Sequence, residues 1–98
     1  MEGQYKNDQE NIIETLRTGD LIRHGRMSLG MKQAELASYL TQRDDIFNGV
    51  DTVTISRWEA GRVYPSTKRL IAFAKILYPQ HTRTTLKYMI KDRPRGHQ

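Results

Sequence analysis

At 98 residues, 37% hydrophobic and 28% charged, the chain has room for one small domain built from short helices. It has no cysteine, which excludes a disulfide framework and a thiolate metal site. A net charge of +5 favours a polyanionic partner, and a core this small favours dimer formation as a supplement to its stability.

The charge is unevenly spread. Residues 1–19 carry −2; residues 20–78 hold nine basic groups against six acidic ones; residues 79–98 hold five basic groups against Asp92 alone. No apolar run approaches a membrane span and no charged-then-apolar leader is present. The expected location is therefore cytoplasmic.

Residues 1–11 read as a polar tail. Ile12, Ile13 and Leu16 recur at i, i+1, i+4 and predict one or two helical turns. Thr18-Gly19-Asp20 reads as a break, with Asp20 as N-cap. Leu21, Ile22 and Leu29 then mark a first core helix that ends near Gly30, a C′ glycine. Gly25 inside it costs about 1 kcal/mol against alanine, which points to close packing.

A second core helix is predicted from Lys32 to Leu40, with Leu36, Ala37 and Leu40 on one face. Thr41 to Val50 is a long connection that includes Asp44 and Asp45. The third core helix starts at Asp51 as N-cap and stops at Gly61. Pro65-Ser66 announces a fourth, with Leu70, Phe73, Ala74 and Leu77 buried and Pro79 ending it. Leu86, Met89 and Ile90 predict a fifth, and Arg93-Pro94-Arg95-Gly96 reads as a basic, unstructured end. The expected fold is an all-α compact bundle of about five helices. It occupies residues 12–91, between the polar tail and a basic tail over 92–98.

The third core helix carries the functional signal. At 100° per residue from Thr52, Ile55 falls near 300° and Trp58 near 240°, so those two form a buried back. Thr52, Val53, Ser56, Arg57 and Ala60 share the opposite face. Short side chains let a helix backbone approach base edges. Thr52 and Ser56 can donate or accept hydrogen bonds. Val53 and the Thr52 methyl can pack on a thymine methyl, and Arg57 can bond guanine or clamp a phosphate. An ordinary surface helix would carry Glu/Lys pairs at i, i+4 instead.

The stretch from Ile22 to Leu77 resembles the Cro/repressor-type (Xre-type) helix-turn-helix family. The resemblance rests on Arg26-Met27-Ser28-Leu29-Gly30-Met31-Lys32-Gln33-Ala34-Glu35-Leu36-Ala37, on Gly49-Val50 with Ile55-Ser56-Arg57-Trp58-Glu59-Ala60-Gly61-Arg62, on Pro65-Ser66, and on Ala72-Phe73-Ala74-Lys75-Ile76-Leu77. It covers a little over half the chain, and the ordered set, not any one tetrapeptide, makes it specific.

The resemblance implies a lambda-repressor-like bundle that binds double-stranded DNA as a homodimer, with the helix-turn-helix at about 32–61. Its base-reading positions fall on Thr52, Val53, Ser56 and Arg57. Gln33 would touch phosphate and buttress the reading helix, and Arg62 would meet phosphate. Arg26 and Glu59 match a structural ion pair. Lys68, Arg69 and the Arg93/Arg95 tail are further candidates for phosphate contact. Half-sites would lie about 34 Å apart.

Two departures stand out. An insertion at 41–48 lengthens a turn that is normally tight, and Ile46 and Phe47 within it would either tuck against the bundle or meet a partner. Either the loop points away from the duplex, or Arg43 anchors it with Asp44 and Asp45 turned outward. Lys32 sits where an N-cap Ser or Thr is usual, and the expectation is that it reaches a phosphate instead.

The expected function is a transcriptional regulator, a repressor, acting on a palindromic operator. The alternative is an antitoxin that binds a toxin protein and autoregulates its operon; a protein-interaction adaptor on the same fold is a further rival. No enzyme or cofactor is expected. His24, His81 and His97 are widely spaced, and no nucleophile elbow or glycine-rich phosphate loop exists. Leu86, Met89 and Ile90 with Tyr78 or Tyr88, and Ile12, Ile13 and Leu16, would either form a dimer interface or complete the core, with the C-terminal set favoured for the dimer.

Overall fold

The structure is a computed structural model and describes residues 8–94. It is all-α. Helices α1 (Asp8–Thr15), α2 (Thr18–Ser28), α3 (Gln33–Arg43), α4 (Thr52–Glu59), α5 (Thr67–Leu77) and α6 (Thr82–Lys91) are joined by short connections, with a 3-10 turn at Asp45–Phe47 between α3 and α4. There is one helix more than the five expected: the turns around Ile12 and Ile13 form α1, which begins at Asp8 within the segment assigned to the tail. The polar residues before Asp8, and Arg95 with the rest of the basic end, lie outside the described residues. No helix among the described residues is long and apolar enough to cross a membrane.

Helix α2 begins at Thr18, three residues before the start that an Asp20 N-cap would give. Its N-cap is Arg17, whose side chain makes no capping bond, and Asp20 lies in the first turn. The missing cap is supplied from far along the chain: the Thr18 N–H donates to Asp92 Oδ2 at 2.9 Å. The carboxylate does from α6 what an N-cap Asp does locally, satisfying an orphan donor at the positive end of the helix.

Both expected C′ glycines close their helices. Gly30 has φ +70° and Gly61 φ +76°. The Met31 N–H reaches the Arg26 carbonyl and the Gly30 N–H that of Met27; Arg62 to Arg57 and Gly61 to Trp58 repeat the pattern after α4. These are Schellman closures, which need the left-handed residue that glycine supplies without strain.

Two other glycines are dictated by packing. A Cβ on Gly25 would lie 3.1 Å from Leu77 Cβ, which explains a helix-interior glycine. A Cβ on Gly19 would lie 2.5 Å from the Glu59 carbonyl oxygen and 2.6 Å from that of Trp58. The first turn of α2 therefore sits directly on the last turn of α4. The obstacle is backbone, which cannot swing aside as a side chain can. Gly19→Ala is expected to destabilise the domain by about 3 kcal/mol, the upper end for overpacking, as read in a urea melt.

The core gathers around Phe73 on α5. Its ring meets Phe47 edge-on at 4.9 Å and Trp58 at 5.4 Å, the favourable geometry for aromatic pairs. Leu21, Ile22, Leu36, Leu40, Ile55 and Leu70 complete it without solvent contact. From the proposed dimer sets, Ile13, Tyr78 and Met89 belong to this core. The Tyr78 hydroxyl donates to the Leu21 carbonyl at 2.6 Å, and burial pushes its pKa well up. Leu86 and Tyr88 are partly buried, and Ile90 remains exposed.

Candidate nucleic-acid interface

Helix α4 is held at both ends by local chemistry. Asp51 Oδ1 accepts the Thr54 N–H at 2.9 Å and the Thr54 hydroxyl at 2.8 Å. These bonds hold the Asp51 carboxyl below the usual carboxylate range. Gly61 closes the other end. Between them Ile55 and Trp58 face inward, as the wheel required, and Thr52, Val53, Ser56, Arg57 and Ala60 are exposed. Val53 is 53% exposed, a large apolar side chain left open in the middle of the strip. Gln33, Thr52, Val53, Ser56, Arg57, Ala60 and Arg62 line a single open depression. The expected base-reading positions thus meet two of the expected phosphate positions, Gln33 and Arg62, on one surface.

Behind this strip lies a buried ionic node. Arg26 Nε and Nη2 grip the Glu59 carboxylate at 2.7 and 3.0 Å, a two-pronged bond that matches guanidinium to carboxylate. Arg26 Nη1 also donates to the Met31 carbonyl at 2.8 Å. The Gln33 side-chain amide adds a bond to Glu59 Oε1 at 3.1 Å. Helices α2, α3 and α4 are joined at one carboxylate whose side chain is 2% exposed. The buttressing expected of Gln33 is therefore a bond to the last turn of α4. The hydrogen bond to Glu59 raises the Arg26 pKa, so the guanidinium stays charged. Sequence reasoning missed Arg23, whose Nε lies 3.5 Å from Glu59 Oε1. Its spacing of three from Arg26, one turn along the same face, was the available signal.

Lys32 is exposed and stands at the N-cap of α3. An ammonium has no lone pair to accept an N–H. The end is completed from the other side: Glu35 Oε1 accepts the Lys32 N–H at 2.7 Å, one half of a capping box. Arg62, Arg57 and Lys68 are exposed as well.

The connection before α4 differs from expectation. Thr41, Gln42 and Arg43, assigned to the insertion, continue α3. No glycine or proline interrupts them, and the Arg43 guanidinium lies 3.4 Å from the centre of the Tyr39 ring one turn back. Asp44 ends the helix in an extended conformation and accepts the Ile46 N–H at 3.0 Å, capping the 3-10 turn. Phe47 enters the core without solvent contact and Ile46 packs against it. Of the two roles open to these residues, the structure selects the tuck against the bundle. Arg69, a candidate phosphate contact, is engaged here: its Nε donates to the Ile46 carbonyl at 2.9 Å.

No family model, curated protein or solved structure matches the chain. The site must be read from its own chemistry. That chemistry is a short helix with hydroxyls, a methyl-bearing surface and one guanidinium at its outer face, with the exposed Arg62 lining the same depression. It can form hydrogen bonds and apolar contacts with edge-on planar groups while Arg62 engages anions. Among the described residues, no group of three or more His, Asp or Glu is arranged to hold a metal ion.

Proposed function

We propose that the protein is a sequence-specific double-stranded DNA-binding regulator of transcription, a repressor, that binds as a homodimer with α4 in the major groove. The carrying observation is the exposure of Thr52, Val53, Ser56 and Arg57 on one face of a helix whose opposite face, Ile55 and Trp58, is buried. A helix diameter matches the major groove, and small polar side chains bring its backbone to the base edges. The exposed Arg62 lines the depression beside the strip, and the exposed Lys32 adjoins Gln33, which lines it too, where phosphates would run beside a groove-bound helix. Of the residues offered for the dimer interface, Ile13, Tyr78 and Met89 are occupied in the core, and Ile90 remains exposed.

Selection from a random duplex pool, followed by fluorescence-anisotropy titration across salt, tests the proposal. A palindromic preference with half-sites about 34 Å apart supports it. Equal affinity for selected and random duplexes defeats it. Arg62→Ala is expected to weaken binding to every sequence and to flatten the salt slope by about one unit. Thr52→Ala with Ser56→Ala is expected to cost about 1–3 kcal/mol of discrimination per lost base contact, at an unchanged slope.

A further inference from the structure

We infer that Arg69 is a positioning residue, which sets the pose of α4 through the 44–51 connection rather than by touching phosphate. The inference rests on the DNA-binding reading above. Three observations converge on this side chain. Its Nε donates to the Ile46 carbonyl at 2.9 Å, at the centre of the 3-10 turn. Its guanidinium also lies 5.5 Å from the centre of the Trp58 ring, on the inner face of α4. Its backbone N–H is bound by the Ser66 hydroxyl, which anchors it in the first turn of α5. One group on α5 therefore touches both the chain that enters α4 and the buried back of α4 itself.

The connection is built to transmit that hold. Phe47 is fixed against Phe73 of the same helix α5. The Phe47 carbonyl accepts the Thr41 hydroxyl at 3.3 Å and the Val50 N–H at 3.0 Å. Val50 packs against the core, and the next residue is Asp51, the N-cap of α4. A connection as long as 44–51 between two helices would ordinarily leave the second helix free to shift. Here the connection is pinned at Ile46 and Phe47, and α4 inherits a fixed entry point. A displacement of about 1 Å at a recognition helix is enough to break bidentate base contacts.

A phosphate contact and a positioning role make opposite demands on lysine. Lysine keeps the charge, so it sustains a phosphate contact, but it has neither the Nε–H nor the planar fork that reaches Ile46 while lying against Trp58. Arg69→Lys and Arg69→Met are compared with wild type, with folding checked by circular dichroism at a temperature where all three are native. Amide exchange over residues 44–51 is expected to accelerate about tenfold or more in both variants, the factor for losing one charge-assisted hydrogen bond. The emission of Trp58, the sole tryptophan, is expected to shift in both. Preference for the selected over the random duplex is expected to fall about tenfold in both, with the salt slope of random-duplex binding unchanged. A slope reduced by about one in Arg69→Met, restored in Arg69→Lys, with preference and exchange unaltered, overturns the inference and makes Arg69 a phosphate contact. A wild type with no sequence preference overturns the DNA-binding reading instead, while the exchange and emission data still decide whether Arg69 holds the connection.

Discussion

Replacing Glu59 by alanine is expected to lower the stability of the domain by about 3 kcal/mol, the lower end for breaking a buried ion pair. The reason is what remains behind. Arg26 keeps a guanidinium whose side chain is 14% exposed, with its two-pronged partner gone and only the Met31 carbonyl left to it. Gln33 loses its bond to α4 at the same stroke. A loss of this size is a large fraction of the about 5–15 kcal/mol that a small domain has. Glu59→Gln should cost less, because an amide oxygen can still accept from Arg26, though without the charge. Arg26→Met combined with Glu59→Met should recover part of the loss, since no buried charge is then stranded. Urea melts of Arg26→Met, Glu59→Met and the double variant give the coupling directly. Equal, additive losses would show that the two residues do not act as a unit.

Phe47→Ala should cost about 3–5 kcal/mol, as large-to-small changes in a closed core do. For a chain of this size that corresponds to a fall in Tm of roughly 15–30 °C. The ring has no solvent contact and its neighbour Phe73 also packs Trp58, so the cavity opens beneath the inner face of α4. Phe47→Leu should fill most of the volume and cost far less. The measurement is a thermal melt followed by circular dichroism. Loss of the whole signal in one transition is expected, because the aromatic cluster joins α4, α5 and the connection. A variant that melts like wild type would mean that the connection hangs loosely on the bundle.

What could be read from the residues alone follows a physical division. The α4 strip was legible because a helix of known period with Asp51 at one end and Gly61 at the other has only one way to place Ile55 and Trp58 inward. The ends of α4 and α5 were legible for the same reason: Asp51, Gly61, Ser66 and Pro79 act on their own neighbours. The start of α2 was not, because its cap comes from Asp92 and no local pattern announces a partner 74 residues away. The reach of α3 to Arg43 was missed because residues 41–48 were read as one block, whereas helix continues until Asp44 turns extended. Arg69 was assigned to phosphate on its charge. A guanidinium that grips a carbonyl and one that grips a phosphate are the same residue in sequence, and only the position of Ile46 separates them. The split between interface and core among Tyr78, Leu86, Met89 and Ile90 was open for a related reason: helical spacing shows that residues share a face, not what that face meets.

The reach of Asp92 back to Thr18 has a consequence for how the molecule is made. A ribosome releases the segment that becomes α2 long before it has synthesised the carboxylate that completes its first turn. Until then the residue that seats on α4, Gly19, lies in a turn with its leading amide unanswered. The first turn of α2 therefore gains this cap only once α6 has been made and docked.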